Sequence, residues 1–331
     1  MKIRLRLSIP LLILLLALAA GIVVYGVFKW AVNEKPDREI KVIVSVKATE
    51  QIVDFWKVLI DGVNDAANEF GATAKVIGPP REVMIDEQIA QLERAIEEKP
   101  DVIVLAATDY NRLVPTAQKI VKAGIKLITV DSSISSDDAL SHIATDNIAA
   151  GAKAGEELAN LLPEGAKVAV MSHSKGTSTQ MEREQGAVRR MKELGLDVVG
   201  IYYTDGIENK AREITLSLLM SNPNIEGIVG LNEMSTVGVG KAIRELGSAG
   251  KVKLVGFDSS LDEVKLLEEG ILQGTIVQKP YNMGYLSVKS AVKAINGERI
   301  PKVINTELVV INKQNMYTEQ NQKLLFPFVG K

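Results

Sequence analysis

Two apolar runs in this chain stop in the same way, "KLITVDSS" at Lys126–Ser133 and "KLVGFDSS" at Lys253–Ser260, each on an aspartate followed by two serines. Other polar groups fall at comparable places: Asn232 follows "EGIVGL", Gln278 follows "GTIV", and Arg183 lies in "MEREQGA" near the start of a helical segment. Phe55 and Trp56 stand where a helix should begin after the first apolar run. Carboxylates accept, a guanidinium presents five fixed donors, and amides do both, which is the assortment a polyhydroxylated ligand requires. Flat aromatic faces suit the C–H edges of a sugar ring. Each residue also has a plainer use: aspartate caps turns and helices, the aromatics fill a core, the arginine is solvated, and the amides close turns.

Other chemistries lack their residues. With no cysteine there is no disulfide, thiolate nucleophile or cysteine-ligated metal, and two histidines without H-E-x-x-H spacing give no metal site. The glycine-rich pieces "SKGTST" and "VGVGKAI" lack phosphate-loop spacing, and no G-x-G-x-x-G follows Ile40–Val46. Ser132, His142 and Asp131 make a triad only on paper, with no G-x-S-x-G elbow. Asp131 and Asp258 meet the carboxylate count of a glycosidase and nothing more specific. The expectation is therefore no catalytic residue, no metal and no cofactor, with a sugar-modifying enzyme as the distant alternative.

The elements that must position these side chains alternate regularly. Short runs such as "IKVIVSV", "PDVIVLAA", "AKVAVM" and "VKLVGF" are nearly continuous apolar segments, as in parallel strands covered on both faces. Between them lie helical patterns near Phe55–Phe70, Val114–Ala123, Ile148–Leu162, Glu182–Leu194, Lys210–Met220, Ser235–Leu246 and Tyr285–Ile295; Ile85, Ile89, Leu92 and Ile96 form a further apolar stripe. This order predicts a doubly wound α/β architecture. Asp131 and Asp258 lie in matching segments 127 residues apart, and 331 residues suffice for two similar lobes, each with its own core. Ligands of open α/β sheets lie beyond the carboxyl ends of the strands, so the two Asp-Ser-Ser ends are candidates for opposing jaws. A net charge of −2 with interspersed signs provides no basic field for nucleic acid.

At the N-terminus Lys2, Arg4 and Arg6 precede an uncharged run from Ile9 to Phe28. As a helix it rises about 30 Å, the thickness of a bilayer's hydrocarbon core. A cleaved signal would have to use Ala17-Leu18-Ala19 in mid-run, and no cysteine follows "LALAAG" to carry lipid. The expectation is one uncleaved membrane helix, with the chain beyond it extracytoplasmic.

Taken together, "SHIATDN" (Ser141–Asn147), "VGFD" (Val255–Asp258) and "GTIVQKP" (Gly274–Pro280) make the chain from Ile40 to Lys313 resemble the ribose-type, type I periplasmic sugar-binding family. The resemblance implies two Rossmann-like lobes joined by three hinge strands, with Thr145, Asp146 and Lys279 at the hinges. It implies sugar contacts from Asp131, Arg183, Asn232, Asp258 and Gln278 and stacking by Phe55 and Trp56. Ser132 stands where ribose binders resemble one another in having arginine, and Gly206 where an aromatic is expected; "VKATEQIVD" is longer than the ribose pattern. A pentose or hexose other than ribose, xylose among them, fits these departures.

The organisation expected is a cytoplasmic leader 1–8, a transmembrane anchor 9–28, a stalk 29–39, a first lobe 40–144 with 279–307, a second lobe 145–278 with 308–320, and a tail 321–331. The expected function is a cell-membrane, single-pass monosaccharide receptor that closes on its ligand and signals to a membrane sensor histidine kinase, as xylose-sensing proteins that it resembles do. The alternative partner is an ABC permease, with the protein as its capture subunit. Repressors of related fold carry a helix-turn-helix that is missing here, so no nucleic acid partner is expected.

Overall fold

The computed structural model describes residues 18–25, 39–50 and 54–326. From Ile40 onward the chain builds two six-stranded sheets. The first contains β1 (Ile40–Ser45), β2 (Ala72–Ile77), β3 (Val102–Leu105), β4 (Lys126–Val130), β5 (His142–Thr145) and β11 (Val303–Thr306), in the order β2-β1-β3-β4-β5-β11. The second contains β6 (Lys167–Ser172), β7 (Asp197–Tyr203), β8 (Ile225–Gly230), β9 (Lys253–Phe257), β10 (Leu272–Val277) and β12 (Val309–Asn312), in the order β7-β6-β8-β9-β10-β12. The two orders are the same. All pairings are parallel except β10 with β12. Each sheet reverses its winding between its first and third strands, β1/β3 and β6/β8, the place where open α/β sheets leave a crevice.

Both sheets are covered on both faces, as their apolar runs require. Val42, Val44, Val102 and Val104 enter one core of the first lobe, and Ile43, Ile103, Leu105 and Leu127 the other. Helices α1 (Asp54–Phe70) and α9 (Pro280–Ile295) cover the first of these faces; α2 (Ile85–Glu97) and α3 (Val114–Lys122) cover the second. In the second lobe α4 (Asn147–Ala159) and α5 (Ser178–Glu193) face Val168 and Val170. On its other face α6 (Glu208–Ser221), α7 (Glu233–Glu245) and α8 (Leu261–Glu268) pack over Ala169 and Met171, joined there by Leu325 of α10 (Glu319–Leu325).

The chain passes between the sheets three times: from β5 into α4, from β10 into α9, and from β11 into β12. Each of the two helices entered this way packs on the helix that follows the first strand of its new lobe, α9 on α1 and α4 on α5. Glycine allows both approaches. A Cβ on Gly284 would lie 2.0 Å from the Leu59 carbonyl oxygen, and one on Gly62 2.1 Å from that of Tyr281. In the second lobe Gly151 and Gly186 would meet the carbonyl oxygens of Arg183 and Ile148 at 2.2 and 2.1 Å. Gly62 and Gly186 hold the same position in their helices, and so do Gly284 and Gly151. The likeness of the two halves thus extends from strand order to individual packing contacts.

One expectation is not supported. Residues 18–25 are helical with exposed side chains, but among the described residues no helix is long and apolar enough to cross a membrane. The remainder of the expected span, the leader, the stalk as far as residue 38 and residues 327–331 of the tail lie outside the described residues.

Candidate functional site

The two Asp-Ser-Ser ends adopt the same unusual geometry. Asp131 follows β4 with φ 59° and donates its backbone N–H to Ile143 of β5; Asp258 follows β9 with φ 76° and donates to Ile276 of β10. Left-handed backbone costs an ordinary residue roughly 1–2 kcal/mol and is tolerated best by glycine, asparagine and aspartate. Each strand therefore turns sharply at its last apolar residue, and the serines diverge in use. Ser260 caps α8, accepting from the N–H of Glu263, whereas Ser132 braces Asp131.

Between the lobes lies a cavity, about 360 Å³ of empty space counting the part open to solvent, lined by residues of both. It gathers seven of the eight ligand-contact residues expected from the sequence: Phe55, Trp56, Asp131, Arg183, Asn232, Asp258 and Gln278. Ser132 lies behind the wall. Its hydroxyl touches Asp131, Lys47 and Thr179 at 3.1, 3.0 and 3.2 Å. Phe55 and Trp56, edge to face at 5.0 Å between centroids, combine the two uses weighed from the sequence, since they line the cavity and belong to the first lobe's core.

Arg183 is buried in the second turn of α5. The helix starts earlier than its apolar pattern suggests because Thr177 caps it, accepting from Gln180. The Arg183 Nε donates to Asn147 at 2.8 Å and Nη1 to the Leu231 carbonyl at 2.9 Å, while the guanidinium lies 4.6 Å from the Phe257 ring centroid. Asn232 caps α7 with its Oδ1, accepting from Ser235, which leaves its amide nitrogen unused by the cap. Asp258 Oδ1 accepts from Gln278 at 2.6 Å and Oδ2 from the backbone N–H of Glu233 at 3.2 Å. Burial raises the Asp258 carboxyl above its usual range, with Arg183 and these hydrogen bonds acting against it.

Thr145, Asp146 and Lys279 stand at the crossings rather than in the cavity wall. Thr145 donates to Gln278 at 3.0 Å, linking two crossings, and Lys279 pairs with Glu307 at the third. Asp146 caps α4.

Five lining residues escaped the sequence reading: Lys47, Glu82, His173, Thr179 and Glu233. Lys47 is fully withdrawn from solvent, 2.9 Å from Asp131 Oδ2 and 3.6 Å from Glu82. Burial pulls its ammonium down, but Asp131 and Glu82 together outweigh burial and hold it above its ordinary value. His173 is driven well below its ordinary value by burial and by Arg183 and Lys47, so it is neutral, and its Nδ1 has no partner. A signal for both existed: Lys47 and His173 follow β1 and β6, the strands at the two switch points. His142 instead bonds Thr129 on the neighbouring strand, away from the cavity wall, so the paper triad is not assembled.

Gly206 is explained locally. It has φ 67° in the turn before α6, where a side chain of any kind is strained, and it does not line the cavity.

The lobes meet over the site. Ser133 N–H donates to Ser178 at 2.8 Å, Tyr110 N–H to Gly176 at 2.7 Å, and the Ser174 hydroxyl to Glu82 at 3.1 Å.

Comparison with known proteins agrees with this architecture. Residues 42–299 match the family model described as "Periplasmic binding protein domain". The ribose import binding protein of Salmonella typhimurium is 28% identical over 262 residues, 78% of this chain and 87% of its own length. The D-allose-binding periplasmic protein of Escherichia coli is 28% identical over 76% of this chain and 82% of its own. A carbohydrate transporter solute-binding protein of Agrobacterium radiobacter, solved with D-arabinose, superposes with a TM-score of 0.84 at 29% identity, covering 87% of this chain and 99% of its own.

These relatives are solute-binding proteins, not enzymes. The expected single-pass placement in the cell membrane does not stand: no described helix crosses a bilayer, and the relatives belong to a periplasmic type. With the extent of the family match and the shared architecture, the chain belongs to the periplasmic binding protein family, of the ribose-type, type I sugar-binding kind.

Proposed function

We propose that this protein captures a neutral monosaccharide, a pentose or hexose, and delivers it to an ABC permease. The observation that carries this reading is the cleft between two lobes, ringed by paired carboxylates, amides, a fixed guanidinium and two aromatics. Lys47 is already matched by Asp131 and Glu82, and Arg183 has Asp258 as a counter-charge, so no surplus cation awaits a phosphate. Hydroxyl groups that both donate and accept are better suited.

In this reading Asp131, Arg183, Asn232, Asp258 and Gln278 bond the hydroxyls, Phe55 and Trp56 hold the ring face, and Ser132 fixes Asp131. His173 joins them through its unpartnered Nδ1. Thr145, Asp146 and Lys279 serve the hinge between lobes 40–144 with 279–307 and 145–278 with 308–320. A neutral hydrogen bond contributes about 0.5–1.5 kcal/mol net and one to a charged group about 1.5–3, so a sugar gripped by several of these reaches useful affinity only in a closed cavity. The sensor-kinase partner expected from the sequence came from a resemblance to membrane-anchored binding proteins, with which a membrane span would agree, and among the described residues no helix is long and apolar enough to cross a membrane. Kinship with import binding proteins favours the permease.

A thermal-shift screen of the full chain with D-ribose, D-allose, D-arabinose, D-xylose and sugar phosphates tests the reading. At a thousand times its dissociation constant a ligand stabilises by about 4 kcal/mol, which moves Tm by several degrees. A shift with one or more neutral sugars and none with phosphates is expected. No shift with any neutral sugar overturns it.

A further inference from the structure

The first residue of α7, Glu233, is buried, lines the cavity and belongs to the second lobe. Its carboxyl group nevertheless lies beside the first turn of α1 in the first lobe, where the backbone N–H groups of Asp54 and Phe55 favour its charged form. One oxygen, Oε2, is buried with no partner in the protein. Its own backbone N–H is given to Asp258, a neighbour in the cavity wall. One side chain thus touches the helix that carries Phe55, adjoins Asp258, and leaves one polar atom unsatisfied.

We propose that Glu233 is a ligand-positioning residue that couples cleft closure to recognition, clasping the first turn of α1 across the cleft and offering Oε2 to a hydroxyl of the bound sugar. The inference rests on the monosaccharide reading for the ligand, while the clasp itself stands on the contact between the lobes.

The charged groups around this carboxyl are of one sign: Asp54 from α1, Asp258 after β9 and Glu263 from α8, with Arg183 of α5 acting on Asp258. Burial first, then Asp258 and Asp54, push Glu233 up from its ordinary 4.5 to about 9, while the N–H groups of Asp54 and Phe55 pull the other way. The clasp therefore works as a neutral acid. A carboxyl whose value is raised in the closed form and ordinary when solvated binds its proton more tightly on closure. Closure is then fully favoured below about pH 4.5 and loses ground as pH rises toward about 9, by up to tenfold per pH unit.

The test uses the full chain and the same neutral sugars, titrated calorimetrically from pH 5 to pH 9. Wild-type affinity should fall with rising pH, with about one proton taken up on binding. Glu233→Gln, which keeps the shape and cannot ionise, should bind with an affinity that is flat across the window. Glu233→Ala should bind at least tenfold more weakly at pH 6. Unchanged affinity in Glu233→Ala, or a pH slope retained in Glu233→Gln, overturns the proposal. If no sugar binds the wild type, the ligand reading fails by itself, and small-angle scattering without sugar decides the clasp. The wild type should then expand between pH 5 and pH 9 while Glu233→Gln does not, and equal profiles overturn it.

Discussion

Lys47 changes what Asp131 is. Read from sequence, Asp131 is an acceptor waiting at a strand end; in the fold it is half of a buried ion pair with an ammonium from the segment after β1. Removing one member of a buried pair leaves an uncompensated charge and costs about 3–5 kcal/mol. Lys47→Met should therefore lower stability by that order in urea unfolding, and adding Asp131→Asn should recover part of the loss. Asp258 is held differently, by Gln278, the Glu233 N–H and Arg183. Asp258→Ala should weaken sugar binding at least tenfold by calorimetry while circular dichroism stays native, and unchanged affinity would remove the residue from the site.

At the scale of elements, the site depends on helices approaching more closely than side chains normally allow. The contact of α4 with α5 sets Arg183, because Gly151 sits against its carbonyl while Asn147, at the start of α4, receives its Nε. The α1–α9 contact does the same for Phe55 and Trp56 through Gly284 and Gly62. A methyl group at Gly284 meets backbone, which cannot swing aside as a flexible side chain can. Gly284→Ala is expected to cost at least about 1–3 kcal/mol in equilibrium unfolding, the range for overpacked cores. Stability unchanged within error would mean that α9 slides freely on α1.

Across the whole molecule, polar bonds between described residues join the lobes over the cleft. Ser133 with Ser178, Tyr110 with Gly176 and Glu82 with Ser174 form only when the sheets' carboxyl ends meet. A bond present only in the closed form biases closure by its own net worth, about 0.5–1.5 kcal/mol. Ser178→Ala is thus expected to weaken affinity by up to about tenfold. Should its affinity match that of the wild type, the Ser133–Ser178 bond would contribute nothing to closure.

The sequence by itself determined the two lobes, because central strands buried on both faces must be written in unbroken apolar runs such as "VIVL" and "KVAVM". It left the edges faint: β2 and β7 alternate half-buried with exposed residues, and α8 is only eight residues long, so their patterns are short or diluted. Residues ending central strands were legible as polar groups at abrupt apolar stops, and the fold brings most of them to one cavity. Glu233 was not, since a glutamate at a helix start is an ordinary surface residue until something buries it. Only the tertiary structure decided that, by pressing the carboxyl ends of two similar sheets together, so that residues far apart in the chain became each other's solvent.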